Sequence, residues 1–147
     1  LILSRNASIR MIIIDTNVWS EALRTEPNPT VLNWLRNHAV EATLTAVSVF
    51  EMRLGASLLA QGSRRTDLEI QIERLCSEMS SRTLSYDSTS TIEHAKFAAA
   101  ARVGGRALSC EDGQILGIAA AHGCKIATQN VRDFEGFGIH IVDPWRG

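Results

Sequence analysis

Apolar residues in this chain fall into short unbroken runs, separated by longer segments in which they recur every three or four positions. Met11-Ile12-Ile13-Ile14 has no polar face, the pattern of a strand buried on both sides of a sheet. Asn28-Pro29-Thr30 opens a helix that runs through Asn37, because Asn caps well and Pro fits the first turn. A short strand near Ala42 to Thr45 follows, then a helix from Val47 to Leu59 in which Val47, Glu51, Leu54 and Leu58 share a face. Gly62-Ser63 ends that segment. A charged helix from about Arg64 to Met79 aligns Leu68, Ile72, Leu75 and Met79, leaving its reverse side to solvent. Thr83 to Tyr86 predicts a strand, Asp87 caps an alanine-rich helix, and Gly104-Gly105 stops it. The helix Glu111 to His122 ends at Gly123. Lys125 to Thr128 is a strand leading into Gln129 to Gly138, and Ile139 to Val142 is the last strand, closed by Pro144. Strands separated by helices predict an α/β fold with a mainly parallel sheet covered on both faces.

Against this pattern three acids stand out. Asp15 follows the buried run directly, Glu51 lies on an apolar helical face, and Asp112 shares a face with Ile115, Leu116 and Ala119. Carboxylates drawn together on inward faces lose hydration and repel one another, so they need protons, cationic partners or a bound cation. An all-oxygen set suits Mg²⁺ or Mn²⁺. Each acid also has an ordinary explanation. Ser48 and Glu51 form Ser-x-x-Glu, a capping box. Asp112 complements a helix dipole, and Asp15-Thr16-Asn17 suits a turn or an N-cap. Their joint occurrence beside a fourth polar cluster, Thr128 to Asp133, favours one shared site at the carboxyl ends of the strands.

Composition narrows the class further. The chain has 147 residues, the size of one domain, and 45% hydrophobic residues supply a sizeable core. A formal charge of −1 gives no global basic field of the kind nucleic-acid binding proteins carry. Cys76, Cys110 and Cys124 lack paired metal-ligand spacing and are odd in number, which argues against a secreted disulfide framework and for a reducing cytoplasm. Leu1 to Arg10 read as an upstream extension or cloning remnant, too short to span a membrane and without a cleavage pattern. His38, His94, His122 and His140 show no ligand spacing and read as surface or helix-end residues. Trp19, Trp34 and Trp145 read as packing anchors. Arg24, Arg53 and Arg132 lie near the acidic motifs and are either phosphate contacts or ordinary surface charges.

The ordered set of motifs carries more than any single acid. Met11-Ile-Ile-Ile-Asp15-Thr16-Asn17, Ser48-Val-Phe-Glu51-Met-Arg53-Leu-Gly55, Glu111-Asp112-Gly-Gln114-Ile115, Ala127-Thr128-Gln-Asn130-Val-Arg-Asp133-Phe134 and Asp143-Pro144-Trp145 resemble a PIN-domain protein. Within that family they are most similar to the VapC/FitB toxins of prokaryotic type II toxin–antitoxin systems, over Met11 to Arg146 as a single domain. The resemblance implies a three-layer α/β/α sandwich and a Mg²⁺-dependent endoribonuclease, with Mn²⁺ as a substitute. It also implies a homodimer and a cognate VapB/FitA-like antitoxin that occupies the active site and carries any binding to operator DNA. By matching positions, Asp15, Glu51 and Asp112 are the central acids. The fourth position matches Asn130, with Asp133 a nearby carboxylate able to take its place. Thr16 and Thr128 match hydroxyl positions that orient the acids or a water. Gln129 departs from the pattern, standing where FitB-like relatives commonly have arginine.

A phosphodiester is anionic and bare carboxylates repel it, so a cation is needed before RNA can enter. Asp15 and Asp112 are the expected direct ligands, with Glu51 and Asp133 binding through water, holding a second ion or orienting the attacking water. Two other classes of function compete. One is a non-catalytic PIN-like module that dimerises and supports its antitoxin on operator DNA. The other is a small-molecule phosphohydrolase, disfavoured in its phosphoaspartate form because Thr16-Asn17 replaces the second aspartate.

Overall fold

The computed structural model describes residues 10–147, so the reading of Leu1 to Arg10 as an extension lies, Arg10 excepted, outside the described residues. Among the described residues five strands form one sheet: β1 (Ile12–Ile14), β2 (Ala42–Thr45), β3 (Thr83–Leu84), β4 (Lys125–Ala127) and β5 (Ile141–Val142). Their order is β3-β2-β1-β4-β5 and every pairing is parallel. Seven α-helices accompany them in the described residues: α1 (Thr16–Ala22), α2 (Pro29–Asn37), α3 (Ala46–Ser57), α4 (Ser63–Glu78), α5 (Ser88–Val103), α6 (Cys110–His122) and α7 (Val131–Phe134). The third and fifth strands are shorter than the expected Thr83 to Tyr86 and Ile139 to Val142. Both are edge strands with one pairing partner.

The middle strand divides the core in two. Successive side chains of a strand point to opposite faces. Ile12 and Ile14 therefore join one buried cluster with Val18, Trp19, Trp34, Met52 and Ile72, while Ile13 joins another with Ile115, Leu116, Ile118 and Phe134. This is the α/β/α sandwich that the sequence predicts. As expected, Trp19 and Trp34 are buried and Trp145 packs against the first cluster.

Two local expectations fail at α3. Its N-cap is Thr45, whose hydroxyl accepts from Ser48 N at 3.1 Å, so Ser48 is already in the first turn and no capping box with Glu51 forms. Its buried residues are Val47, Ser48, Met52 and Ala56, whereas Leu54 and Leu58 are exposed. The true inward stripe includes a serine and an alanine, so a search for large apolar residues misses it. The other caps follow the sequence. Asn28 accepts from Thr30 N at 2.9 Å ahead of Pro29, and Asp87 accepts from Ser90 N at 2.9 Å. Gly123 ends α6 in the left-handed region, at φ +66.

Candidate active site

The strand order reverses between β1 and β4, where parallel sheets open a crevice at their carboxyl ends. Asp15 follows β1 there and is 6% exposed. Its Oδ1 accepts from Thr16 N at 2.8 Å, and its Oδ2 accepts from Thr128 Oγ1 at 2.8 Å and Asn17 Nδ2 at 3.1 Å. A carboxylate has about four acceptor positions, so one remains on Oδ1.

Thr128, fully buried just past β4, donates to Asp15 and accepts from Asn17 Nδ2 at 3.1 Å and Asn130 N at 3.0 Å. That exhausts the capacity of a hydroxyl and fixes its direction. Asn17 also accepts from Gln129 N at 3.2 Å, tying α1 to the loop after β4. Sequence reasoning treated Asn17 only as part of a turn or an N-cap, although its amide is the cross-link between the two strand ends.

On the opposite side, Thr16 Oγ1 lies 3.0 Å from both Glu51 Oε1 and Ser48 Oγ. With one proton, Thr16 serves one partner at a time. The carboxylate can only accept, and the buried Ser48 hydroxyl turns to suit. Adjacent residues 15 and 16 thus bind the β4 side and the α3 side respectively.

The acids of the site also act on one another electrostatically. Burial raises the Asp15 carboxyl above its ordinary value against the three hydrogen bonds, and Asp133 adds to the rise. Glu51 is raised first by burial and then by Asp15, Asp112 and Glu111, while its Thr16 hydrogen bond pulls the other way. Asp112 is raised by burial and further by Asp15, Asp133 and Glu111, against its Ser109 hydrogen bond. Glu111 is a fifth acid that sequence reasoning passed over, because a first-turn glutamate is explained by the helix dipole alone. Asn130 is exposed at the N-cap of α7 without a side-chain capping bond, and Asp133 lies on that same short helix.

The donor set fits a hard divalent cation, being oxygen-only, desolvated and mutually repelling. Among the described residues no three such side chains stand close enough to grip one ion directly.

The first turn of α6 is set by an unusually close contact. A Cβ added at Gly113 would fall 2.1 Å from His94 Nε2, and one at Gly117 would fall 2.5 Å from Ser90 O. The other imidazole nitrogen, Nδ1, lies 2.7 Å from the Tyr86 hydroxyl. His94 is thus wedged between α5 and α6 beside Asp112, not at the surface or a helix end. Two of the three arginines near the acidic motifs have acidic partners. Arg53 pairs with Glu73 on α4, and Arg24 pairs with Glu21 at 3.2 Å, within its own first helix and its flank.

A parallel α/β/α domain with an acidic cluster at the carboxyl edge of its central strands is the class that fold and site define. The family model described as PIN domain matches residues 12–138. The chain is 38% identical over 137 residues to the plasmid stability protein StbB of Pseudomonas syringae pv. tomato, covering 92% of this chain and 99% of that one. It is 34% identical to the VapC ribonuclease Y4jK of Sinorhizobium fredii, covering 92% and 98%. It matches the crystal structure of FitAcB from Neisseria gonorrhoeae with a TM-score of 0.86 and 31% identity, covering 93% of this chain and all of that one. The chain belongs to the PIN-domain family, and its resemblance to VapC and FitB proteins is borne out.

Proposed function

We propose that this chain is the toxin of a type II toxin–antitoxin pair and a Mg²⁺-dependent endoribonuclease acting in the cytoplasm. The observation that carries this reading is the cluster of desolvated, mutually repelling carboxylates Asp15, Glu51 and Asp112 at the carboxyl edge of a PIN-domain sheet. Bound Mg²⁺ or Mn²⁺ would neutralise the acids, make bound water more acidic and stabilise charge on the phosphoryl oxygens. Asp15, with its open Oδ1 position, and Asp112 would be the direct ligands. Glu51, held by Thr16, orients the attacking water and takes its proton, for which a raised carboxyl is the better base. Thr128 keeps Asp15 in its rotamer, Asn130 helps position substrate or water, and Asp133 supplies the fourth carboxylate.

Two further features support the partners. An open cleft of about 1140 Å³ runs from Glu51 past Arg24, Arg64 and Asp67 between α1 and α4, a path for an extended antitoxin arm. An arginine on that arm would satisfy two of the acids at once and compete with the cation. Phe50, Leu54 and Leu58 form an exposed apolar stripe along α3 and its C-cap that suits a homodimer. Operator DNA is bound only through the antitoxin.

The test is incubation of the purified chain with cellular RNA and Mg²⁺, with end-mapping of the products. Discrete cleavage that stops with a chelator and with Asp112→Asn is expected. Intact RNA under Mg²⁺ and Mn²⁺, with operator binding enhanced only when antitoxin is present, would instead identify a non-catalytic module.

A further inference from the structure

Arg106 lies in the loop between α5 and α6, and its side chain crosses to α7. Its Nη1 donates to Glu135 O at 2.6 Å and its Nη2 donates to Arg132 O at 2.8 Å. The guanidinium carbon sits 4.2 Å from the centroid of the Phe137 ring, which packs edge-on against Phe97 of α5. Gly136, at φ +88, lets the backbone pass beneath. A Cβ there would come within 3.2 Å of Nη1. A planar fork on two carbonyls, an aromatic stack and a glycine clearance make this a built contact.

What it holds is a helix that cannot hold itself. α7 is four residues long, its N-cap makes no side-chain bond, and Phe134 is its only buried residue. One isolated turn costs more chain entropy than its hydrogen bonds return. Arg106 captures carbonyls at the carboxyl end, where a cation also complements the dipole. Asp133 rides on this turn. Among the described residues nothing hydrogen-bonds its carboxylate, yet its charge is felt at both Asp15 and Asp112.

We propose that Arg106 is a positioning residue for Asp133: it straps α7 to the loop that leads into α6 and so fixes the spacing between Asp112 and Asp133. This rests on the nuclease reading and deepens it. Lysine cannot replace it fully, because an ammonium is a point charge that cannot fork to two carbonyls while its charge sits over a ring.

A double-mutant cycle tests the strap, with wild type, Arg106→Ala, Asp133→Asn and the double variant compared by two readouts. One is Mn²⁺ binding, followed by the electron paramagnetic resonance signal of free ion. The other is kcat for RNA cleavage with Mg²⁺. Each single variant should lose about tenfold in both, a typical cost of disturbing support around a metal site. The double variant should be no worse than Asp133→Asn alone, and Arg106→Lys should fall between wild type and alanine. Multiplied losses in the double variant, or wild-type behaviour in Arg106→Lys, overturn the proposal while leaving the nuclease reading intact. If Arg106→Ala fails to fold, Arg106→Lys takes its place in the cycle under the same criteria. A wild type that neither binds Mn²⁺ nor cleaves RNA removes the nuclease reading and this inference with it.

Discussion

Asp15 and Asp133 carry the same functional group and are held by opposite means. Asp15 grows out of the middle strand of the sheet, is almost completely buried, and accepts three hydrogen bonds from neighbours that are themselves fixed. Asp133 is exposed on a four-residue helix that carries one arginine contact and one buried phenylalanine. A carboxylate built into the scaffold is tied to the stability of the fold. One hung from a strap can change with little structural cost. Substitutions at the two ends should therefore separate activity from stability in different proportions.

The largest effects belong to the buried end. Asp15→Asn should lower RNA cleavage by about 10²–10³-fold, the range for removing one preorganised electrostatic group. Its amide must also turn a donor toward Thr16 N or toward Thr128 and Asn17. It should therefore be less stable than Asp112→Asn by about 1–3 kcal/mol, the cost of one unpaired buried polar group. Paired urea melts measure the gap, and equal midpoints would mean that the Asp15 network is looser than described.

Asp112→Asn should lose similar activity but gain stability at neutral pH without Mg²⁺. Burial and neighbouring acids raise the folded Asp112 carboxyl, so its charged form is disfavoured relative to the unfolded chain. Below the unfolded value both states are protonated and the penalty vanishes. It accrues as pH rises toward the raised folded value and is complete above it. The advantage of the variant should accordingly appear on going from acid to neutral pH and then level off. Mg²⁺ should raise the melting temperature of the wild type by mass action and leave Asp112→Asn nearly unmoved. An advantage that grows toward acid would reverse the assigned sign.

Glu51→Gln keeps an acceptor for the Thr16 hydroxyl, so its melting temperature should equal or slightly exceed that of wild type. Cleavage should fall about 10²-fold, in the range for losing a positioned base. Because Thr45 rather than Ser48 caps α3, no capping bond is at stake. Asp133→Asn should be mildest, with about tenfold lower activity and no measurable change in the melt. A destabilised Asp133→Asn would show that this end is built into the fold after all.

Much of this was legible in the chain. Met11 to Ile14 announced the central strand because a parallel strand buried on both faces has no polar side, and Asp15 was marked by following it. Cap residues at Asn28 and Asp87 and the stop at Gly104 were readable for similarly local reasons. What sequence could not supply depended on partners far along the chain. Thr45 and Ser48 both fit a cap, and only the end of β2 decides between them. Leu54 and Leu58 look like core but face outward, whereas Ser48 and Ala56 look neutral and face inward. His94 resembled a surface histidine until α6 was packed against it. Asn17 and Glu111 each had a sufficient local explanation, which concealed a contact across 112 residues in one case and a shared field in the other.

The wedge between α5 and α6 ties two distant codons together. Position 113 has room for hydrogen alone because the imidazole of residue 94 occupies the space where a methyl group would stand. Any side chain introduced at 113 must push away either that ring or the turn bearing Asp112, so Gly113→Ala alone should impair folding or displace the acid. Paired with a smaller residue at 94, the same alanine becomes admissible. In a selection for function from randomised libraries, the two sites should be inherited as a pair: bulk on one side accepted only where bulk has been given up on the other.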